Sequence, residues 1–191
     1  MSELPLPRNV NWPDGTIFTI GHSTLPIEQF LARLGAYGVA QVADVRSVPR
    51  SRHNPQFNAD VLGASLAAAQ IAYLPMKELG GLRHPLRDSP NAGWRNSSFR
   101  GYADYMQTTA FRDAVEALIE LGRRERTAIM CAEAVPWRCH RSLVADALLI
   151  RGVPAVEILS ETSWRLHSLT PFAQVEGDRI TYPSEQTKLG A

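Results

Sequence analysis

The stretch Cys131-Ala132-Glu133-Ala134-Val135-Pro136-Trp137-Arg138-Cys139-His140-Arg141 decides how this chain folds. An apolar run, Ala128-Ile129-Met130, leads into it, and Leu143, Val144, Ala147 and Leu148 follow at helical spacing. A strand, a tight loop and a helix start are therefore expected in that order. Such a start aims free backbone N–H groups and the positive end of the helix dipole at one point. Anions bind at such points, and thiols there ionise more readily. The stretch contains both cysteines of the chain and one of its five histidines.

The same alternation extends in both directions. Residues 16–21 read as a buried strand ending at Gly21-His22-Ser23. A helix is expected next, with Ser23 or Thr24 as N-cap, Pro26 in its first turn and a stripe of Ile27, Phe30, Leu31 and Leu34. A second strand spans 39–45, followed by an arginine-rich loop carrying Pro49 and Pro55. Asn58 is the expected cap of an Ala-rich helix over 59–70, and Ala72-Tyr73-Leu74-Pro75 a short third strand. Residues 76–98 read as a long loop, a length that marks functional or disordered segments. A helical region with a break near Thr108-Thr109 follows, then a strand over 127–131, a helix over 139–150 and a fifth strand over 155–159. Residues 174–182 read as a small hairpin turning at Gly177. The pattern predicts one α/β domain over 1–191, a mostly parallel sheet of about five strands with helices on both faces and a small C-terminal hairpin.

Ligands of such sheets collect beyond the carboxyl ends of the strands. Gly21-His22-Ser23, Asp44-Val45-Arg46 and Cys131-Ala132-Glu133 all fall there, and their convergence is the main argument for a site. Composition is that of an ordinary globular protein, with 45% hydrophobic residues. The net charge of +1 argues against strong overall attraction to nucleic acid. Two cysteines are too few for a secreted disulfide framework, and no apolar run has the length of a membrane span. The start of the chain lacks the regions of a signal peptide, so a cytoplasmic protein with no membrane partner is expected.

Each candidate residue also has a purely structural reading. Cys131 and Cys139 are either small buried hydrophobes or a nucleophile or redox pair. Cysteine phosphatases and rhodaneses place a cysteine at a strand end, but here Arg138 falls one position beyond the phosphatase spacing, where Trp137 stands. With Glu133 and His140 the cysteines also make a zinc or iron set, yet adjacent residues at a helix start point about 100° apart. No cofactor is therefore predicted, with a bound metal the less favoured reading. Asp44 either braces its loop or belongs, with Arg46, Arg50 and Arg52, to an anion clamp. His22 is a general base or a histidine bonded to backbone, and Ser23 is read as a cap rather than a nucleophile. Gly80 and Gly81 form a plain turn or let a ligand approach the backbone. Tyr102, Tyr105 and Met106 are read as core. Trp94, Trp137 and Trp164 are placed in loops or at loop edges.

Taken together, the segments resemble a bacterial and archaeal family catalogued as domain of unknown function 488. The resemblance rests on Thr19-Ile20-Gly21-His22-Ser23 with Phe30, Asp44 to Arg52 with Phe57, and Tyr73. Leu79-Gly80-Gly81, the segment Phe99 to Met106, and Cys131-Ala132-Glu133 with Cys139-His140-Arg141 complete it. It covers roughly residues 16–160, leaving 161–191 as an extension. It implies a compact α/β domain whose functional pattern is Cys131, Glu133, Cys139, His140 and Arg141, and the family name assigns no activity.

Three functions follow as expectations. The first is an enzyme acting on a phosphorylated or other small anionic substrate, by hydrolysis or transfer. Cys131 or Cys139 would be its nucleophile, Glu133 or His22 its acid/base, and Arg138 or Arg141 with the loop amides its anion cradle. The second is a nucleotide- or nucleic-acid-binding module using Arg46, Arg50 and Arg52, with nucleic acid not favoured. The third is a metal or redox sensor built on the two cysteines.

Overall fold

In the computed structural model, which describes residues 5–184, the chain forms a twisted sheet sandwiched between two helical layers. Strands β1 (Ile17–Gly21), β2 (Gln41–Asp44), β3 (Ala72–Pro75), β4 (Thr127–Cys131) and β5 (Ala155–Ile158) run parallel. A sixth strand, β6 (Trp164–Leu166), adds antiparallel to β5, giving the order β3-β2-β4-β1-β5-β6. The five parallel strands match the expected sheet of about five, and the short antiparallel edge strand adds to them. Its short Trp164-Arg165-Leu166 alternation is bounded by polar residues and carries little periodic signal. Trp164 thus sits in a strand, buried, donating its indole N–H to the Pro5 carbonyl at 3.0 Å. The hairpin β7 (Gln174–Glu176) and β8 (Arg179–Thr181) forms a separate two-stranded sheet, as expected.

Strand period distributes side chains to two cores. Phe18, Ile20, Val42, Ala128 and Met130 face helices α1 (Ile27–Ala36) and α2 (Ala59–Ala68). Ile17, Ala43, Ile129 and Cys131 face α3 (Ser97–Tyr105), α4 (Thr109–Arg124) and α5 (Arg141–Leu149). Both faces are covered, so β1, β2, β4 and β5 are buried along their whole length.

Helix starts differ in detail from the expectations. The helix α1 begins after Pro26, which holds the cap position, and neither Ser23 nor Thr24 caps it; Ser23 instead has φ of 46°. Asn58 occupies the cap position of α2, but its Oδ1 turns back to accept the Ser51 N–H at 2.7 Å. The break between α3 and α4 falls as read, with Thr108 Oγ1 accepting the Phe111 N–H. The segment 76–98 is tied down rather than loose. Asp104 accepts bonds from Leu86 N–H, Ser89 Oγ and Asn91 Nδ2, and Asn91 Oδ1 in turn accepts the Tyr182 N–H.

The connections from β1 and β2 cross the face of α1 and α2, while that from β4 to β5 crosses the other. The crevice at this divergence is the expected ligand position in an open α/β sheet. Cys131 ends β4 at its rim. No helix among the described residues is long and apolar enough to cross a membrane.

Candidate functional site

Two connected hollows open above β1, β2 and β4. One, of about 390 Å³, has Cys131, Cys139 and His140 at its base and Val48, Leu82 and Phe99 in its walls. The other, of about 430 Å³, is lined by His22, Ser23, Arg46, Arg50, Arg138 and the single carboxylate of Glu133. Arg46, Val48, Ala132, Glu133 and Arg138 border both, so they are two lobes of one cleft.

The thiol lobe is built on the register of β1 and β4. Gly21 lies beside Cys131, and the pairing continues past the strand ends through His22 N–H to Cys131 O and Ser23 N–H to Ala132 O. A Cβ at position 21 would collide with the Glu133 carbonyl oxygen and the Arg141 guanidinium. The residue must therefore be glycine for the loop after β4 to fold back over it. That loop contains a 3₁₀ turn, Pro136–Arg138, which leaves Cys139 extended and puts His140 at the cap of α5. The helix thus starts two residues later than the expected 139.

Cys131 and Cys139 are free and buried, with their sulfurs 2.7 Å apart. Arg141 is 1% exposed and its Nη1 donates to Cys131 Sγ at 2.9 Å. The same nitrogen donates to Glu133 O, and Nη2 donates to Ala134 O. Among the described residues no carboxylate pairs with this guanidinium, and its buried Nε–H has no partner. A buried charge without a counter-charge is costly. The nearest group able to supply one is the Cys131 thiolate. Burial alone would raise the Cys131 thiol, but the hydrogen bond from Cys139, the Arg141 charge and the Glu133 backbone outweigh it and bring it to about 7. Cys139 is pushed the other way, first by its bond to Cys131 and then by burial, so it keeps its proton.

His140 donates Nε2–H to the Val45 carbonyl at 3.0 Å, and its Nδ1 stands 3.6 Å from Cys139 Sγ. Burial lowers its pKa to about 4, so the ring is neutral at neutral pH. Gly81 packs against this ring, where a Cβ would overlap Nδ1, while Gly80 lies behind it against Ser47. The cationic lobe rests on a different arrangement. Arg46 forks onto Asp44, with Nε and Nη2 donating to the carboxylate, which also accepts the Tyr73 hydroxyl at 2.7 Å. His22 stacks on Phe57 at 4.1 Å. Its Nδ1–H donates to Ser23 O at 2.8 Å, leaving Nε2 to accept from Arg46 Nη1 at 3.3 Å. Burial first, then the Arg46 charge, lowers His22 to about 4, which fixes it neutral.

Most of the expected site residues converge on this cleft. Asp44 has the bracing role: its oxygens are occupied by Arg46 and Tyr73, so it holds an arginine rather than an anion. His22 positions Arg46 and has no lone pair free for a substrate proton. Arg141 is sealed beneath the loop, bonded to Cys131 Sγ and two backbone carbonyls. Arg50, Arg138 and Glu133 line the cleft, whereas Arg52 is exposed and borders neither lobe. Residue type alone did not reveal the apolar wall of Val48, Leu82 and Phe99, because apolar residues in loops carry no periodic signal. Among the described residues no group of three or more His, Cys, Asp or Glu side chains is placed to hold a metal ion.

Neither the curated proteins nor the solved structures contain a match to this chain. A family model described as "Domain of unknown function DUF488" matches residues 26–148, from the start of α1 to the end of α5. That span holds β2, β4, both cysteines and the Arg141 beneath them, and the chain therefore belongs to the DUF488 family.

Proposed function

We propose that this protein is an enzyme that uses the Cys131 thiolate as a nucleophile on a small anionic substrate held in the two-lobed cleft. The observation that carries this reading is the buried Arg141, 2.9 Å from Cys131 Sγ and without a carboxylate partner among the described residues. A structural arginine buried for packing would be expected to bring its own acid. Here the charge is matched by a thiol at a strand end beside the N-terminus of α5, the setting in which cysteine becomes reactive at neutral pH.

Substrate would enter with its anionic group toward Arg138 and Arg50. The Arg46 charge is largely offset by Asp44, so Arg46 contributes directed N–H groups more than net charge. The organic part would rest against Val48, Leu82 and Phe99, close to Cys131. Glu133, at the border of the lobes, is placed to exchange a proton with the leaving group.

Alkylation kinetics test this reading. Iodoacetate, an anion, should label Cys131 faster than neutral iodoacetamide does, the reverse of their order on a simple peptide thiol. Sulfate or phosphate should protect against it. Labelling of Cys131 at peptide-thiol rates, insensitive to anions, would refute both the nucleophile and the anion cleft.

A further inference from the structure

We infer that Cys131 and Cys139 act as attacking and resolving thiols, so that the cleft reduces a small disulfide bearing an anionic group. The inference rests on the reading of Cys131 as the nucleophile and goes on to name the reaction.

One guanidinium balances one thiolate. The site therefore holds one ionised and one protonated sulfur, 2.7 Å apart, and both border the thiol lobe. A group transferred to Cys131 would lie beside the Cys139 thiol. What that neighbour can do depends on the group. A phosphoryl group leaves the Cys131 sulfur unreactive toward a second thiol, and Cys139 would then have no part in release. A disulfide-linked adduct makes the Cys131 sulfur electrophilic, and the adjacent Cys139 can displace the adduct from it. Release by Cys139 requires loss of its proton; with Cys131 tied up in the adduct, the Arg141 charge is free to favour the Cys139 thiolate, and His140 orients its S–H. His140 keeps its Nε2 proton on the Val45 carbonyl, which leaves Nδ1 as the lone-pair nitrogen facing Cys139 Sγ. Gly81 against the ring holds that orientation.

The Cys131 thiolate attacks one sulfur of R–S–S–R′; the S–S bond breaks, R′–S⁻ departs, and Cys131–S–S–R remains. The departing R′–S⁻ takes the Cys139 proton, and the Cys139 thiolate attacks Cys131 Sγ. The bond to R–S breaks, R–S⁻ leaves, and a Cys131–Cys139 disulfide forms. The substrate gains two electrons and the protein loses two; an external dithiol reduces the protein for the next cycle. Arg138 and Arg50 would receive a carboxylate on R or R′, and the apolar wall its aliphatic or aromatic body.

Dithiobis(nitrobenzoate), an aryl disulfide with carboxylates, and uncharged dithiodipyridine form a suitable probe pair. Wild-type protein should release two thionitrobenzoates per chain and lose the mass of two hydrogens. Cys139→Ser should release one and retain the adduct on Cys131, and His140→Gln should slow only the second release. Relative to a cysteine peptide, the protein should favour the carboxylate probe by about tenfold, an electrostatic effect that salt weakens. A stable single adduct on wild-type Cys131 would overturn the resolving role while leaving the nucleophile intact. No adduct on Cys131, with undiminished reaction in Cys131→Ser, would instead sink the nucleophile itself. Equal relative rates for the two probes would overturn the anionic substrate.

Discussion

Two buried cations lie on the same helix layer, and their surroundings are opposite. Arg141 opens α5 with a thiol and backbone carbonyls for company and an unpartnered Nε–H. His167, after β6, is clamped between two carboxylates: Nε2 donates to Asp146 at 2.8 Å and Nδ1 to Glu157 at 2.9 Å. Asp146 also accepts from Thr170 N–H, Thr170 Oγ1 and Tyr182 OH, and Glu157 pairs with Arg165. Burial works against the imidazolium, yet the two carboxylates raise His167 to about 9. Glu157 is likewise lowered by His167 and Arg165, although its burial pulls upward. The saturated cluster ties the C-terminal extension to α5 and β5. Where every valence is met, charge holds the fold together; where one is left open, it is available to chemistry.

Replacing the two cations should separate these roles. The largest effect is expected from Arg141→Met. Loss of the Arg141 charge and hydrogen bond should raise the Cys131 thiol above about 7 while the Cys139 bond remains, so its thiolate fraction at pH 7 should fall by about five- to tenfold. Iodoacetamide labelling should fall with it, and the melting temperature should drop as well, because the Glu133 and Ala134 carbonyls lose the bonds that Arg141 donates. A large loss of stability with labelling intact would erase the contrast.

Gly21→Ala should come next, since its methyl group meets the Glu133 carbonyl and Arg141. A stability loss of about 1–3 kcal/mol is expected in denaturant titrations, with slower Cys131 labelling. An unchanged variant would mean that the loop after β4 can move away freely.

The His167 cluster should show itself through pH. Its folded pKa lies above the ordinary 6.5, so its contribution is complete below that value and is lost as pH rises through about 9. The wild type should lose about 3 kcal/mol across that window, and His167→Gln should lose little of it, with Cys131 reactivity unaltered in the variant. Identical pH profiles for the two proteins would count against the clamp. The smallest effect is expected from Arg52→Ala, which should leave stability and anion protection of Cys131 unchanged, whereas Arg138→Ala should weaken that protection.

The frame that carries this contrast was legible in the sequence, but the contrast itself was not. Strand ends at Gly21, Asp44 and Cys131 pointed to one crevice, because parallel strands alternating with helices leave few arrangements open. Periodicity placed the α1 stripe of Ile27, Phe30, Leu31 and Leu34, and Gly177 marked the hairpin. Polar pairing across the sequence was not legible. Nothing near Arg141 shows that no acid reaches it, and nothing near Asp146 shows that His167 and Tyr182 do. Both facts depend on contacts between distant segments. The roles of His22 and Asp44 were undecided for the same reason: each depends on where the Arg46 side chain turns.

Whether a Cys131 thiolate balances Arg141 can be read from a direct titration. Ultraviolet absorbance of thiolate should be followed against pH in the wild type and in Cys131→Ser. The account predicts a difference of one thiolate per chain with a midpoint near 7. A difference that appears only at or above the ordinary cysteine value of 9.0 would contradict it.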